Sequence, residues 1–567
     1  MKPRRSVVSL GCLMAVVLLL ALAACGGEET TTTAPPTTAG PATTAGPATT
    51  VAPSTTEAAV PRSVLECPQG PQSDETPQYG GALVVLHNAS PANIGCFWGT
   101  TGYIDSMHAR WAIENLVGLN EQGEPVPQLA TSWEVDEGAK TITFHLRQGV
   151  KFHDGTDFNA QAAKWNLDMW KDKTKTTKHD LDAVTAIDVV DDYTIRLTMS
   201  EMNPLFIKGM SANNYGKMVS PTAYEQMGEK AMNLHPVGTG PFKFESYEPD
   251  VSIKFTKFEG YWQEGLPYLD SVEIKIIADP TIALTAYKSG EGQLLYQTSA
   301  ADAEALQAEG SSVNSRILTV WSIAGDSKSP ECPFSDQKVR EAVAYAIDNE
   351  TIVNGVFRGL YAPTDQLAVE GGQAYNPSIV GHPYDVAKAK QLLAESAFHI
   401  STENPWKTKI TYNAGDENTQ MFTLIQEALG EIGIEIALEQ AAYPALMQKS
   451  KKGFKNELIL MGLSYNGIEM DYSTSLSANL SEDSTSWVDV WIPDEFNALY
   501  RETLATTDPG ERELKYEALN KMAVDDYCLV VPLALMTLVS AVSPNAHDLG
   551  LASRSIEFLP ERAWLSE

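Results

Sequence analysis

The sequence has few basic residues, and this shortage limits what the protein can bind. It carries 41 Lys and Arg against 73 Asp and Glu, so the formal net charge at pH 7 is −32. Such an acidic chain repels phosphate backbones and anionic headgroups, which argues against nucleic-acid binding and against direct adhesion to anionic lipid. A soluble acidic surface accounts for the charge, and steering of a cationic solute is the alternative.

The sequence also lacks the short motifs of several enzyme classes. It contains no Gly-x-Ser-x-Gly, no His-Glu-x-x-His and no phosphate-binding loop of the Walker type, and its nine histidines are scattered. We therefore expect no catalytic residue, no cofactor and no metal site. An extracellular hydrolase stays open as an alternative, because the many carboxylates allow a paired-acid site.

Long apolar runs are absent except at residues 7–24, which follow Lys2, Arg4 and Arg5. A basic head before an apolar stretch that ends in small residues predicts a signal peptide over 1–24. Leu22-Ala23-Ala24-Cys25 resembles the bacterial lipobox, which implies that Cys25 is the lipidated first residue of the mature chain. An uncleaved membrane helix is the rival interpretation, since about 18 apolar residues is borderline for spanning.

Residues 25–78 are rich in Thr, Pro, Ala and Gly and have little apolar bulk. Such a composition cannot offset the entropy of ordering, so we expect a disordered tether with an r.m.s. span of about 40 Å. The tether would let a lipid-held domain reach a partner in the membrane.

The stretch Thr141–Asn159, TITFHLRQGVKFHDGTDFN, has the clearest local pattern. Apolar and polar residues alternate from Ile142 to Leu146, which predicts a strand with one buried face, and Val150 and Phe152 resume the apolar face after a turn. Asn159 is placed to cap a helix. These residues predict a hairpin followed by a helix.

Together with Leu129-Ala-Thr-Ser-Trp133, this stretch resembles the signature of solute-binding protein family 5, the oligopeptide-, dipeptide- and nickel-binding proteins of ABC importers. His235-Pro-Val-Gly-Thr-Gly-Pro-Phe242 and Pro333-Phe-Ser-Asp-Gln-Lys-Val-Arg-Glu-Ala342 match the same family further along the chain. The resemblance implies an α/β fold of the type II periplasmic-binding-protein class, with two α/β lobes, a hinge and a smaller inserted domain.

The resemblance also implies a division of the chain beyond the tether. Domain I comprises 79–120, 235–330 and 530–567, domain II is the small insertion 121–234, and domain III is 331–529. Within domain III, Ser335 is expected to cap a helix. The patterns at 409–413, 417–429 and 432–436 predict a βαβ unit.

Four cysteines remain beyond the signal and the lipid site, and an extracytoplasmic location would let them form two disulfides. Three connectivities are open. We favour Cys67–Cys96 and Cys332–Cys528, because Cys332 and Cys528 fall where domain III is expected to be entered and left.

A cleft between the lobes, lined by aromatic residues and a few polar groups, is the expected solute site. Peptide-binding relatives often carry a Trp and an Ala-Asp-Tyr-Pro-Asp-Pro-like string late in the large domain. This chain has Leu460-Met-Gly-Leu-Ser-Tyr-Asn-Gly-Ile-Glu-Met-Asp-Tyr472 there, without the Trp and the prolines. The candidate solute contacts are Trp98, Tyr103, Trp321, Tyr412, Tyr465, Asn466 and Asp471.

We therefore expect a lipid-anchored solute receptor at the outer face of the bacterial cytoplasmic membrane. The resemblance implies a peptide or other small solute, ABC permease and ATPase subunits as partners, membrane attachment through the lipid anchor, and a monomer. A non-transport sensor or adhesion lipoprotein on the same scaffold is a further alternative.

Overall fold

Helices and strands alternate along the described part of the chain beyond the tether. The structure is a computed structural model, and it describes residues 76–98, 103–120, 124–173, 180–203, 205–212, 214–464, 472–482, 484–551 and 560–567. The signal peptide, Cys25 and the tether up to residue 75 lie outside the described residues. No helix in the described ranges is both long and apolar enough to cross a membrane.

The strands are β1 (Ala82–His87), β2 (Val117–Leu119), β3 (Pro125–Pro127), β4 (Ala130–Asp136), β5 (Thr141–Leu146), β6 (Val184–Asp191), β7 (Thr194–Met199), β8 (Phe242–Glu248), β9 (Ser252–Lys257), β10 (Ser271–Ile276), β11 (Leu294–Leu295), β12 (Ser312–Gly325), β13 (Ala362–Pro363), β14 (Trp406–Asn413), β15 (Ile434–Ala441), β16 (Leu458–Ser464), β17 (Val531–Val542), β18 (Ala546–His547) and β19 (Trp564–Leu565).

The α-helices are α1 (Tyr103–Ala109), α2 (Ala160–Lys173), α3 (Phe206–Ala212), α4 (Pro221–Met227), α5 (Glu229–Met232), α6 (Pro280–Lys288), α7 (Ala300–Ala308), α8 (Gln337–Ala346), α9 (Asn349–Phe357), α10 (Val386–Glu395), α11 (Asp416–Glu431), α12 (Tyr443–Lys452), α13 (Tyr472–Asn479), α14 (Asp494–Ala505) and α15 (Pro509–Lys521).

One mixed sheet of 11 strands runs through most of the molecule, in the order β15-β14-β16-β12-β17-β11-β1-β10-β9-β8, with β13 beside β17. We call the part from β11 to β8 the first lobe and the part from β15 to β16 the large lobe. The long antiparallel strands β12 and β17 belong to both parts. The chain enters the large lobe along β12 and returns along β17.

Between the lobes the sheet narrows to these two strands. β12 pairs with β17 from Ser312 to Ile323, but its pairing with β16 begins only at Thr319. On the other side, β17 pairs with β11 only at its last two residues, Ala541 and Val542. The register of β12 shifts between Ile317 and Thr319, which marks a bulge where the ribbon joins the large lobe. A two-stranded section with a bulge is the most deformable part of such a sheet.

The sheet of the large lobe is buried on both of its faces. Leu458 and Leu460 of β16 pack into one apolar cluster, whereas Ile459, Met461 and Leu463 pack into another on the opposite face. Since successive side chains of a strand point to opposite faces, both clusters require apolar residues, and the strand becomes a continuous apolar run. Burial on both faces explains why β16 and β17 show no alternation in the sequence.

The small antiparallel sheet β4-β5-β7-β6 lies within residues 121–234 and shares an apolar cluster with the first lobe. β5 alternates as expected, with Ile142, Phe144 and Leu146 buried. The predicted hairpin inside the signature is wrong, because β5 pairs with β4 and β7 and the segment around Val150 and Phe152 forms a turn. The Asn159 cap is confirmed, since its Oδ1 accepts a hydrogen bond from Ala162 N at 3.0 Å.

Other local predictions can also be compared with the structure. The βαβ unit is confirmed as β14, α11 and β15, with the two strands parallel. The cap at Ser335 is wrong: Asp336 caps α8, and its side chain accepts from Lys338 N at 2.9 Å. The division into three domains with the stated boundaries stays a prediction.

The cysteine pairing needs correction. Cys332 and Cys528 are free and buried in the same apolar cluster, so the predicted disulfide between them is not formed in this structure. Burial also raises the pKa of each thiol to about 12. Cys96 is free and buried as well, and Cys67, its predicted partner, lies outside the described residues.

Two of the recognised motifs pack directly against each other. His153 donates from its backbone N–H to Gly238 O and from its ring Nε2 to Gly240 O, both at 2.9 Å. The glycines in turn lie against the backbone of Ala112, where a Cβ on Gly238 would stand 2.1 Å from Ala112 O. No side chain fits between these backbones, so the glycines are required by close approach rather than by ligand binding.

We predict that Gly238→Ala lowers the free energy of unfolding by about 3 kcal/mol, because the added methyl group must displace backbone. Denaturant unfolding followed by circular dichroism measures the change. Gly355→Ala is the matched control, because Gly355 lies inside α9 and an added Cβ would have no atom within 4 Å. The free energy of unfolding of this variant should rise by about 0.5–1 kcal/mol. Equal midpoints for the two variants would contradict the proposed close contact.

Candidate functional site

The junction of the two lobes brings four segments of the chain together. Beside the narrow β12–β17 section, Ser540 Oγ donates to Tyr296 O at 2.7 Å, and Thr298 N donates to Val539 O at 3.0 Å. The loop after β1 joins the same place, since Asn88 Nδ2 donates to Gln297 Oε1 at 2.8 Å. Loop residues of the first lobe therefore line the hinge strands directly.

A buried cluster of rings lies at the end of β1. The His87 ring contacts the rings of His108 and Tyr296, with centroids 4.8 and 4.9 Å away. Burial, and secondarily the neighbouring His108, lowers the pKa of His87 to about 3. His87 is therefore neutral at physiological pH, and it adds a polar group to this junction without adding a charge.

The loop 88–98 after β1 is held in place by hydrogen bonds. Asp105 accepts from Ala92 N at 2.7 Å and from Asn93 N at 3.3 Å, and Asn93 Oδ1 accepts from Gly95 N and Cys96 N, both at 3.0 Å. Gly95 approaches the backbone so closely that a Cβ there would stand 1.6 Å from Met232 O. This loop is largely preformed, which reduces the entropy lost when a ligand binds.

The large lobe reaches the same junction through the end of β16. Its last residue, Ser464, pairs with Thr319 at the point where the ribbon widens. The structure resumes at α13, whose first residue Tyr472 donates its N–H to Gln373 Oε1 at 3.3 Å. Three of the predicted contacts, Tyr465, Asn466 and Asp471, belong to the intervening segment and lie outside the described residues.

The other aromatic candidates that the structure describes are packed into cores. The Trp98 ring contacts Trp165 and Tyr224 edge-on, at 5.8 and 5.7 Å between centroids. Trp98 is 8% exposed, and its buried Nε1 has no acceptor among the described residues. For Tyr103, the first residue of α1, the side chain lies outside the described part.

Trp321 and Tyr412 lie in the large lobe and do not come together with Trp98. Trp321 is 6% exposed and contacts Phe357 and Tyr361 edge-on. Tyr412 is 1% exposed and stacks on Phe422 at 4.5 Å. Both rings support the lobe from within, and neither presents a free face to a solute in this structure.

Arg316 was missed in the sequence and is a notable residue of the hinge. It is buried, it lies in the narrow section of β12, and its cross-strand neighbour is Leu538. Arg316 is the one charged residue of β12, which was the available signal, but only the pairing of β12 shows that it lies between the lobes.

The described residues also contain a cavity of 560 Å³ outside this junction. It is lined by residues of α2, the turn before it and the start of α4, and its wall includes Trp165. Its charged groups are already paired, Lys164 with Asp168 at 2.8 Å and Asp157 with Lys151 at 2.5 Å. No group of three or more His, Cys, Asp or Glu in the described ranges is arranged to hold a metal ion.

The sequence model of the protein family described as bacterial extracellular solute-binding proteins, family 5 Middle, matches residues 124–485 of this chain. The chain belongs to family 5 of the bacterial extracellular solute-binding proteins. Among curated family 5 relatives, the glutathione-binding protein GsiB of Shigella flexneri is 30% identical over 455 residues, which cover 76% of this chain and 85% of that protein.

Solved structures give the same fold. DppA from Helicobacter pylori, in complex with the peptide STSA, superimposes with a TM-score of 0.74 at 23% identity and covers 86% of this chain and 99% of that one. AgaA from A. tumefacien R10, in complex with agropinic acid, has a TM-score of 0.71 at 26% identity, with coverage of 86% and 99%. The type II periplasmic-binding-protein fold predicted from the sequence is confirmed.

In this family 5 protein, a buried carboxylate connects the first lobe with the small sheet. Glu114 accepts hydrogen bonds from Thr239 Oγ1 at 2.7 Å, from Tyr261 OH at 3.0 Å and from Trp262 Nε1 at 3.0 Å. Arg147 stacks on the Trp262 ring at 4.1 Å. Burial outweighs the hydrogen bonds and raises the pKa of Glu114 to about 7.

This shift predicts a pH dependence of stability. The Glu114 carboxyl titrates near its ordinary value of 4.5 in the unfolded chain and near 7 in the folded chain, so the folded chain binds more protons in between. Stability should therefore fall as the pH rises through this window and level off above it. The wild type should lose free energy of unfolding between pH 5 and 8, and we predict that Glu114→Gln makes this loss smaller by about 2 kcal/mol.

Denaturant unfolding at several pH values measures this effect. Glu248→Gln is the matched control, because Glu248 is an exposed carboxylate of β8 and should leave the pH profile unchanged. Parallel profiles for the wild type and Glu114→Gln would show that Glu114 is ionised in the folded chain at pH 5.

Proposed function

We propose that this protein is the lipid-anchored receptor of an ABC importer and that its solute is a peptide or a related amino-acid derivative. The solute would bind between the lobes, and the loaded receptor would deliver it to the permease without altering it. The observation that carries this proposal is the two-stranded section of β12 and β17, which connects two lobes that each have their own apolar core. Such a connection favours hinge closure around a ligand.

The nature of the solute is inferred from chemistry and from the relatives. GsiB binds glutathione, and the solved DppA structure holds a peptide. Amide and carboxylate groups of such solutes need fixed donors, and Trp98, at the end of the preformed loop 88–98, has an Nε1–H without an acceptor among the described residues. We retain Tyr103, Tyr465, Asn466 and Asp471 as proposed solute contacts, with Trp98 as an edge of the site and with Trp321 and Tyr412 as its packed support.

We predict that the purified protein binds glutathione or a short peptide with a Kd in the micromolar range or tighter, and that the solute is recovered unchanged. Isothermal titration with glutathione, a dipeptide panel and free amino acids measures binding, and mass spectrometry of the mixture tests for turnover. Asp471→Asn should weaken the binding of a solute that carries an ammonium group by about tenfold or more. Cleaved peptide in the mixture would favour the hydrolase alternative.

We also propose that processing leaves a lipid on Cys25 and holds the protein at the outer face of the cytoplasmic membrane. Cys25→Ser should abolish the lipid on the mature N-terminus, because the lipid is attached to the thiol that this variant lacks, and a chain released from residues 1–24 should then leave the membrane fraction. Fractionation and mass spectrometry of the mature N-terminus provide the readouts. Detection of an intact Met1 on the wild-type protein would contradict this proposal.

A further inference from the structure

Helix α7 contacts both lobes on the edge of the hinge. It belongs to the connection from β11 to β12, and Leu306 packs with Leu86 and Ala541 in an apolar cluster of the first lobe. Its opposite contacts are polar and reach the large lobe. Any rotation of the lobes about β12 and β17 must therefore move α7 relative to one of them.

Two polar contacts join α7 to the large lobe. At its first residue, Ala300 N donates to Glu417 Oε1 of α11 at 3.0 Å. One turn later, Glu304 Oε2 accepts from Nη1 of Arg358, the residue after α9, at 2.8 Å. The first contact is made by the backbone N–H at the N-terminal end of α7, and the second by the Glu304 side chain one turn later. Both contacts reach the large lobe.

The two contacts differ in strength. Glu417 is half-buried, and its carboxyl accepts a hydrogen bond at the positive end of the α7 dipole, which favours its charged form. Burial, with the nearby Asp302 and Asp416, outweighs this effect and raises the pKa of Glu417. The pair of Arg358 and Glu304 is exposed, with side-chain exposures of 54% and 67%, so it contributes little alone. The carboxylate of Glu417 is therefore the main contact, and the ion pair restricts the orientation of the helix.

We propose that Glu417 and Arg358 form a latch on α7 that stabilises the lobe arrangement seen here and thereby sets how readily the receptor changes conformation around its solute. This inference rests on the proposed hinge function. The latch does not touch the solute, so it acts on affinity only by changing the population of the binding-competent arrangement. Glu417 and Arg358 are thus positioning residues.

The experiment uses the full-length protein in detergent without solute. Spin-labelled unnatural amino acids at Lys243 in the first lobe and Lys451 in the large lobe, both exposed, report the distance between the lobes. The Glu417→Ala/Arg358→Ala variant is expected to shift the ratio of lobe arrangements by about three- to tenfold, which is the effect of one or two hydrogen bonds. Glu417→Gln keeps an acceptor and should give a smaller shift.

Glu309→Ala is the matched control. Glu309 ends the same helix and pairs with Lys288 of α6 at 2.7 Å, but both partners lie in the first lobe, so the distance distribution should not change. A shifted distribution for the double variant alone, with solute affinity changed in parallel, supports the latch. An unchanged distribution overturns it, and so does a loss of thermal stability without such a shift. If the wild type binds no solute, the proposed function fails, and the distance measurement still tests the latch.

Discussion

The pairing of β12 with β17 is the constraint on which the rest of the structure depends. Both crossings between the lobes run through these two strands, and for a few residues they have no other strand partner among the described residues. Within this section β12 and β17 hydrogen-bond to each other, and Val539 O also accepts from Thr298 N of the first lobe. Two-stranded ribbons twist more strongly than wide sheets, because no further strand constrains them. A ribbon held in this way allows the lobes to rotate while each keeps its own packed core.

Rigidity on either side of the ribbon has identifiable causes. In the first lobe, His153 of the segment after β5 donates two hydrogen bonds to Gly238 and Gly240, which precede β8, and the backbone of Ala112 packs closely against the same two glycines. In the large lobe, strands buried on both faces fix the sheet between two apolar layers. The sheet is therefore least constrained where it is narrowest, which is also where the loop after β1 and the end of β16 meet.

Sequence reasoning succeeded where short-range physics decides the outcome and failed where tertiary contacts decide it. The alternation in β5 and the cap at Asn159 are local, and both are confirmed. The capping of α8 was assigned one residue early, because Ser335 and Asp336 are both suitable caps and only the backbone geometry separates them. The recognised motifs identified the fold correctly, and two of them pack against each other where His153 bonds to Gly238 and Gly240.

The candidate site shows why aromatic residues alone are weak predictors of ligand contact. Trp321 and Tyr412 are attractive in a sequence, but strands buried on both faces need large apolar side chains, and packing uses both rings. Arg316 and Glu417 carry charge into the region between the lobes, and neither stands in a recognisable motif. Their positions depend on strand register and on a helix contributed by the other lobe. The proposed receptor separates its functions physically: in that proposal loops supply the solute contacts, the ribbon supplies the rotation, and charged groups beside the ribbon determine which arrangement is favoured.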